Sequence, residues 1–136
     1  MIVLDEQLLG YGLHATISAW YRGSVTDLPA LRPGSVILDD AVPELLRAER
    51  QPTFVTINVR DFWRRMAPDR HFCILCFALP DQRVDELPRL LRRVFATKVF
   101  RTRRSRLGKT ARVAPHRIAY YTTDSWAVRT IDLPQS

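Results

Sequence analysis

Short apolar, β-branched runs alternate along the chain with segments in which apolar residues follow helical spacing. The strand-like runs cover residues 1–4, 24–28, 53–57 and 72–79. Helical spacing is found at residues 8–20, 42–49, 62–66 and 84–96. This order predicts an α/β fold in which helices cover both faces of a mainly parallel sheet, as a three-layer α/β/α sandwich.

The pattern changes after residue 97. Residues 98–112 are rich in Arg and Lys, and residues 117–122 and 126–133 flank a Thr-Asp-Ser turn, which predicts a β hairpin. A chain of 136 residues can bury a core of its own. We therefore predict a single domain over residues 1–136, with a core at about 1–97 and a basic loop and C-terminal hairpin at 98–136.

The net charge of +7 is unevenly distributed. Residues 1–86 carry nine Lys or Arg and twelve Asp or Glu, whereas residues 87–123 carry eleven Lys or Arg and no acid. Such a block is typical of a surface that contacts nucleic-acid phosphates, and a solvated loop or a dock for an acidic protein are the alternatives. The predicted nucleic-acid-binding residues are Lys98, Arg101, Arg103, Arg104, Arg106, Lys109 and Arg112.

Two further patterns limit the class of protein. Cys73 and Cys76 form a C-x-x-C inside an apolar run without a second Cys pair, and positions three apart in a strand face opposite sides, which favours buried thiols. No apolar run approaches the roughly 20 residues of a membrane span, and the N-terminal segment does not have the pattern of a signal peptide. We expect no membrane partner and a cytoplasmic location.

Acidic and amide residues follow the first and third predicted strands and open the helix between them. They are Asp5 and Glu6, then Asp39 and Asp40, then Asn58 and Asp61. In open α/β sheets, ligands bind at the carboxyl ends of the parallel strands. Asp5 could instead only cap the first helix, and Asp39 or Asp40 the second, each of which contributes on the order of 1 kcal/mol.

We expect Asp5, Asp40 and Asp61 to converge at this edge. Converging carboxylates repel each other unless a cation lies among them, and an all-oxygen set selects Mg²⁺ or Mn²⁺. Such an ion favours attack of an activated water on a phosphodiester.

Three motifs resemble those of one family. Thr56-Ile-Asn-Val-Arg-Asp-Phe62 is similar to the T-R-N-x-x-D-F segment of PIN-domain ribonucleases, which include the VapC-type toxins of bacterial toxin–antitoxin pairs. Asp40-Ala-Val-Pro-Glu-Leu-Leu-Arg-Ala48 is similar to the family's D-A-x-x-x-x-x-A pattern. Val3-Leu-Asp-Glu-Gln-Leu8 resembles the L-D-E-N-L start of a compact PIN-like subgroup. The resemblance covers about residues 2–80.

The resemblance implies a Mg²⁺- or Mn²⁺-dependent ribonuclease that is the toxin of an antitoxin-controlled pair and forms a homodimer. Its metal ligands would be Asp5, Asp40 and Asp61, with Asn58 as a polar neighbour. Asp39 competes with Asp40, and Glu6 and Glu44 are weaker candidates.

One position departs from the subgroup. Val59 stands where the subgroup usually has the first Asp of T-N-D-x-D-F, which favours the alternative of a catalytically silent PIN-like module that binds nucleic acid or protein. A phosphate-receiver or small-nucleotide-binding α/β domain is a weaker alternative, because the chain has no Gly-rich phosphate loop.

Overall fold

The computed structural model describes residues 1–134 and shows a single seven-stranded mixed sheet with helices packed against it. The strands are β1 (Ile2–Leu4), β2 (Val25–Asp27), β3 (Thr53–Thr56), β4 (Cys73–Phe77), β5 (Lys109–Ala114), β6 (Arg117–Thr122) and β7 (Arg129–Asp132). Their order is β2-β1-β3-β4-β5-β6-β7, with the first five parallel and the last two antiparallel. The predicted α/β class with a mainly parallel sheet is confirmed.

The helices are short except for one. They are α1 (Leu13–Ser18), α2 (Leu28–Leu31), α3 (Val42–Arg47), α4 (Val59–Phe62), α5 (Leu87–Ala96) and α6 (Arg103–Arg106). Single 3₁₀ turns lie at Glu6–Leu8 and Asp39–Ala41, and a longer 3₁₀ segment at Asp81–Glu86 leads into α5. No helix within residues 1–134 is long and apolar enough to cross a membrane.

Two predicted helices have different bounds in the structure. The helix expected at residues 8–20 is wrong in its first part, because Gly10 and Gly12 take positive φ values of 90° and 71° that break the helix before α1. The helical turn expected at 62–66 lies earlier, as α4, because the Asn58 side chain caps it by accepting a hydrogen bond from the Asp61 N–H.

Side chains from successive strand residues enter two different apolar clusters. In β1, Ile2 and Leu4 join a cluster that includes α1 and α5, whereas Val3 joins one that includes α3 and α4. The same alternation separates Cys73 from Cys76, and burial raises the pKa of the Cys73 thiol to about 12 and that of Cys76 further. Both thiols are free and buried, as the sequence predicted.

The basic segment is part of the sheet, which corrects the predicted loop at 98–112. A capping box at Thr102 and Ser105 starts α6, and Lys109 and Arg112 lie in β5, which pairs with both β4 and β6. The sequence predicted a core that ends at about residue 97, and it therefore did not predict that β5 pairs with β4.

The predicted C-terminal hairpin is confirmed as the antiparallel pair β6 and β7, with a shorter second strand than expected. A second hairpin, β5 with β6, was not predicted. Residues 135 and 136, the end of the predicted extension, lie outside the described residues.

Replacing Phe54 should test how the core supports α4. Its ring is fully buried in β3 and lies 5.2 Å, centroid to centroid, from that of Phe62 in α4. Phe54→Ala should lower the free energy of unfolding by about 3–5 kcal/mol in urea titrations, because it leaves a cavity. Val36→Ala, at a position 86% exposed, is the control and should change it by less than about 0.5 kcal/mol.

Candidate active site

Asp5 directly follows β1, at the carboxyl end of this strand. In the sheet, β1 lies between the parallel strands β2 and β3. The Asp5 N–H donates to the Val55 carbonyl at 2.9 Å, which continues the pairing of β1 with β3 by one residue. Its carboxylate accepts hydrogen bonds from the Glu6 N–H at 2.7 Å and from the Thr56 hydroxyl at 2.6 Å. The residue is only 6% exposed, and burial raises the pKa of its carboxyl, an effect that these two hydrogen bonds oppose.

The Thr56 hydroxyl joins two parts of the site. It donates to Asp5 and accepts a hydrogen bond from the Asn58 N–H at 2.9 Å. It therefore fixes the Asp5 carboxylate relative to the start of α4. Our sequence reasoning missed this role, and the only available signal was the place of Thr56 two residues before Asn58 in the family-like motif.

Asn58 orients Asp61. The Asn58 amide donates to the Asp61 carboxylate at 2.9 Å while its carbonyl oxygen accepts from the Asp61 N–H at 3.1 Å. The amide holds the pKa of Asp61 below its ordinary value, and Asp39, Arg60 and Arg65 act in the same direction. The Asp61 carboxyl therefore keeps its charge to a lower pH than an unperturbed Asp.

Asp39, in the 3₁₀ turn before α3, is the residue that meets Asp61. Both side chains line one cavity, and their carboxyl groups interact. Partial desolvation raises the pKa of Asp39, and the charges of Asp61, Asp5 and Asp40 raise it further. Neither Asp39 nor Asp40 caps a helix with its side chain, so the capping alternative is wrong for this pair.

Asp40 lies at the same site. It lines the cavity of Asp39 and Asp61, a space of about 690 Å³, and its charge acts on Asp39. Of the two neighbours, Asp39 is the one whose carboxyl interacts with that of Asp61.

The remaining acidic candidates lie at the margin. Glu6 is exposed next to Asp5, and Glu44 is exposed on α3. Within residues 1–134, no group of three or more His, Cys, Asp or Glu side chains is close enough together to hold a metal ion. The structure thus places Asp39, Asp40 and Asp61 on one cavity, with Asp5 as a near neighbour.

A second cavity adjoins the carboxylates. It measures about 570 Å³ and is lined by residues from the first turn of the chain and from the β3–α4 connection, including Tyr11, Asn58 and Arg60. Arg60 lines both cavities. Exposed Arg60 and Arg65 therefore place positive charge beside Asp61, a pair that the sequence analysis did not single out.

Most of the predicted nucleic-acid-binding residues lie at the other edge of the sheet. α6 precedes the first residue of β5, so Arg101, Arg103 and Arg104 lie near the amino ends of the parallel strands, whereas the carboxylates lie near their carboxyl ends. Lys98 is exposed after α5, and Lys109 donates to the Ser105 carbonyl.

Two of the predicted cations differ from the rest. Arg106 is 3% exposed and its guanidinium bonds to groups of the chain itself, which corrects its assignment as a surface contact for nucleic acid. Arg112 is exposed and lies level with Cys76 and Thr56 on neighbouring strands. Thr56 is in turn level with Asp5, so Arg112 and Asp5 lie in one row across the sheet. Three strand spacings separate them, which is about 14 Å.

Comparison of the chain with protein-family models, with curated proteins and with solved structures found no match.

Removing the Thr56 hydroxyl should destabilise the site. Thr56→Val keeps the shape of the side chain but removes one of the two hydrogen bonds to the buried Asp5 carboxylate and the acceptor of the Asn58 N–H. We expect the free energy of unfolding to fall by about 1–3 kcal/mol at pH 7, and by less at pH 4, where Asp5 is more often protonated. Thr130→Val on exposed β7 is the control, and an equal loss in both variants in urea titrations would contradict the assignment.

Removing the Asp39 charge should stabilise the protein. The raised pKa of Asp39 means that the folded state binds its proton more tightly than the unfolded state, so its unfavourable charge acts at neutral pH and disappears as the pH falls. Asp39→Asn should raise Tm by about 1–3 °C at pH 7, with a smaller difference at pH 4. Asp124→Asn, in the exposed turn after β6, should leave Tm unchanged, and a Tm of Asp39→Asn below that of the parent at pH 7 would refute the repulsion.

Proposed function

We propose that the protein is a metal-dependent ribonuclease that hydrolyses RNA phosphodiester bonds. The observation that carries this proposal is the cavity that Asp39, Asp40 and Asp61 line together, with Asp5 near enough for its charge to act on Asp39. Three separate segments of the chain bring like charges together here, at a cost to stability. Such a cost is typical of functional sites.

The fold supports the same proposal. The parallel strands, the acids at their carboxyl ends and the motif at Thr56–Phe62 agree with a PIN-like domain in a three-layer α/β/α arrangement. The resemblance and the site are separate arguments, since the contact of Asp39 with Asp61 does not depend on the motif.

The donor atoms of this site are carboxylate oxygens, which are the ligands that a hard divalent cation prefers. Asp39 and Asp61 would hold Mg²⁺ or Mn²⁺ together, and Asp5 would complete the set. The bound ion would supply Lewis acidity and a more acidic water for attack on phosphorus.

Residues of the chain itself orient this set. Asn58 fixes the rotamer of Asp61, and Thr56 fixes that of Asp5. The exposed guanidinium groups of Arg60 and Arg65 lie beside Asp61, where they would bind the phosphates on either side of the scissile bond. The RNA contact in this proposal is therefore made first by Arg60 and Arg65, with Arg112 further along the sheet.

The resemblance extends the proposal to regulation. VapC-type toxins are held inactive by an antitoxin protein, and we propose a cognate antitoxin and a homodimer for this chain on that basis. Val36 and Leu38, which are 86% and 65% exposed, directly precede Asp39 and offer apolar surface next to the site that an antitoxin would cover.

A second candidate function is a catalytically silent PIN-like module that binds nucleic acid or protein. Two observations favour it: Val59 replaces a usual acid of the subgroup, and residues 1–134 contain no set of three donors close enough for an ion. Under this proposal the carboxylates would bind no metal at millimolar concentration.

Cleavage of RNA by two neighbouring variants should separate Asp39 from Asp40. With Mg²⁺ or Mn²⁺ and an end-labelled single-stranded RNA, we expect Asp39→Asn to reduce the cleavage rate by on the order of 100-fold or more. Asp40→Asn removes the same charge from the same cavity and should retain activity within about threefold. If Asp40→Asn lost activity and Asp39→Asn retained it, Asp40 would be the metal ligand, as the sequence predicted.

Calorimetry with Mn²⁺ decides between the two candidate functions. Binding to the parent protein that is lost in Asp39→Asn supports the ribonuclease. Salt-sensitive RNA binding without Mn²⁺ binding and without cleavage selects the silent module.

A further inference from the structure

A cavity at the amino edge of the sheet is surrounded by guanidinium groups. It measures about 380 Å³ and is lined by Tyr21, Arg22, Gly23, Arg101, Arg103 and Arg106. No residue of this lining is acidic. The cavity is therefore a concave, strongly positive surface.

The topology brings these residues together from two distant parts of the chain. Tyr21 to Gly23 lead into β2, where the Ile2 N–H donates to the Ser24 carbonyl. Arg101 to Arg106 lead into β5, and the Arg106 guanidinium reaches the Thr53 hydroxyl at the first residue of β3. Both segments lie at the amino ends of the parallel strands, opposite the carboxylates.

Arg106 is the buried wall of this cavity. Its guanidinium donates to the Phe100 carbonyl at 2.9 Å and to the Arg101 carbonyl at 3.3 Å, and it lies 4.0 Å above the centre of the Phe95 ring. All of these partners are uncharged. Within residues 1–134 Arg106 has no anionic partner, and a cation that is 3% exposed without one is costly, by several kcal/mol in typical cases.

The other three arginines do not relieve this charge. Among the described residues, Arg22, Arg101 and Arg103 form no ion pair, and all three are exposed. Burial lowers the pKa of Arg106, and the Arg103 charge lowers it further, which shows that the guanidinium groups repel one another. An anion in the cavity would turn this repulsion into attraction.

We propose that this cavity binds a terminal phosphate group, the phosphomonoester at the end of a nucleic-acid strand. A phosphomonoester carries nearly two negative charges at one point, whereas a carboxylate or a phosphodiester carries one, so it best matches the exposed guanidinium groups of Arg22, Arg101 and Arg103 together with the buried charge of Arg106 in the cavity wall. Planar guanidinium groups bind phosphate oxygens in pairs. The volume is at the small end of ligand pockets, which suits a strand end.

This site is independent of the proposed ribonuclease activity. It shares no residue with the carboxylate cavity and lies at the opposite end of the parallel strands, which at β3 are about 13 Å long. Its occupation requires no metal. Binding can therefore be measured in EDTA, where no metal-dependent cleavage occurs.

Binding of matched oligonucleotides tests the proposal. The full-length protein would be titrated in EDTA and about 0.15 M salt with one single-stranded RNA in three forms: 5′-phosphorylated, 3′-phosphorylated and hydroxyl at both ends. We expect one phosphorylated form to bind at least tenfold more tightly than the hydroxyl form, and inorganic phosphate at millimolar concentration to compete for this difference. Inorganic phosphate alone, bound as tightly as the strand end, would identify a free-phosphate site and overturn the strand-end assignment.

Arginine variants locate the binding. Arg22→Gln and Arg103→Gln alter exposed side chains, so both should fold with an unchanged Tm, and together they should abolish the preference for the phosphorylated form. Arg129→Gln removes an equal charge from exposed β7 and should keep it. The proposal is wrong if the three RNA forms bind equally, if the double variant keeps the preference, or if a glutamate-rich peptide of equal net charge binds as tightly as the phosphorylated RNA.

Discussion

The parallel pairing of β1 with β3 is the constraint on which the candidate site depends. The hydrogen bond from the Asp5 N–H to the Val55 carbonyl continues this pairing past the end of β1 and sets Asp5 beside Thr56. Because side chains alternate along a strand, a shift of one residue would turn Asp5 away from Thr56 and exchange the two apolar clusters. The register that buries Ile2, Val3 and Leu4 correctly is therefore the register that builds the site.

The same parallel arrangement separates the charges of the molecule. Acids follow strands and collect at the carboxyl edge, whereas the arginines of α6 precede β5 and collect at the amino edge. The edges are about 13 Å apart, and the Debye length is about 8 Å at physiological salt. The charges of one edge therefore act only weakly at the other.

Both edges contain charge that the fold does not neutralise. At one edge the acids Asp39 and Asp61 line one cavity, and at the other Arg106 is buried among uncharged groups. The stability for these arrangements comes from the apolar clusters, which include Phe54, Phe62 and Phe100. Local electrostatic cost balanced by a well-packed core is the usual distribution in a protein whose surface binds ions or phosphates.

The sequence by itself determined the elements and their chemistry. Apolar and β-branched runs predicted β1, β3 and β4, and the apolar stripe predicted α5. Acids placed after strands indicated a cluster at the carboxyl edge of the sheet. All of these signals depend on near neighbours in the chain. Only the tertiary structure decided which acid meets Asp61, that Arg106 is buried and that β5 lies inside the sheet. These outcomes depend on contacts such as Thr56 with Asp5, 51 residues apart, and Arg106 with Thr53, 53 residues apart, which no local pattern encodes.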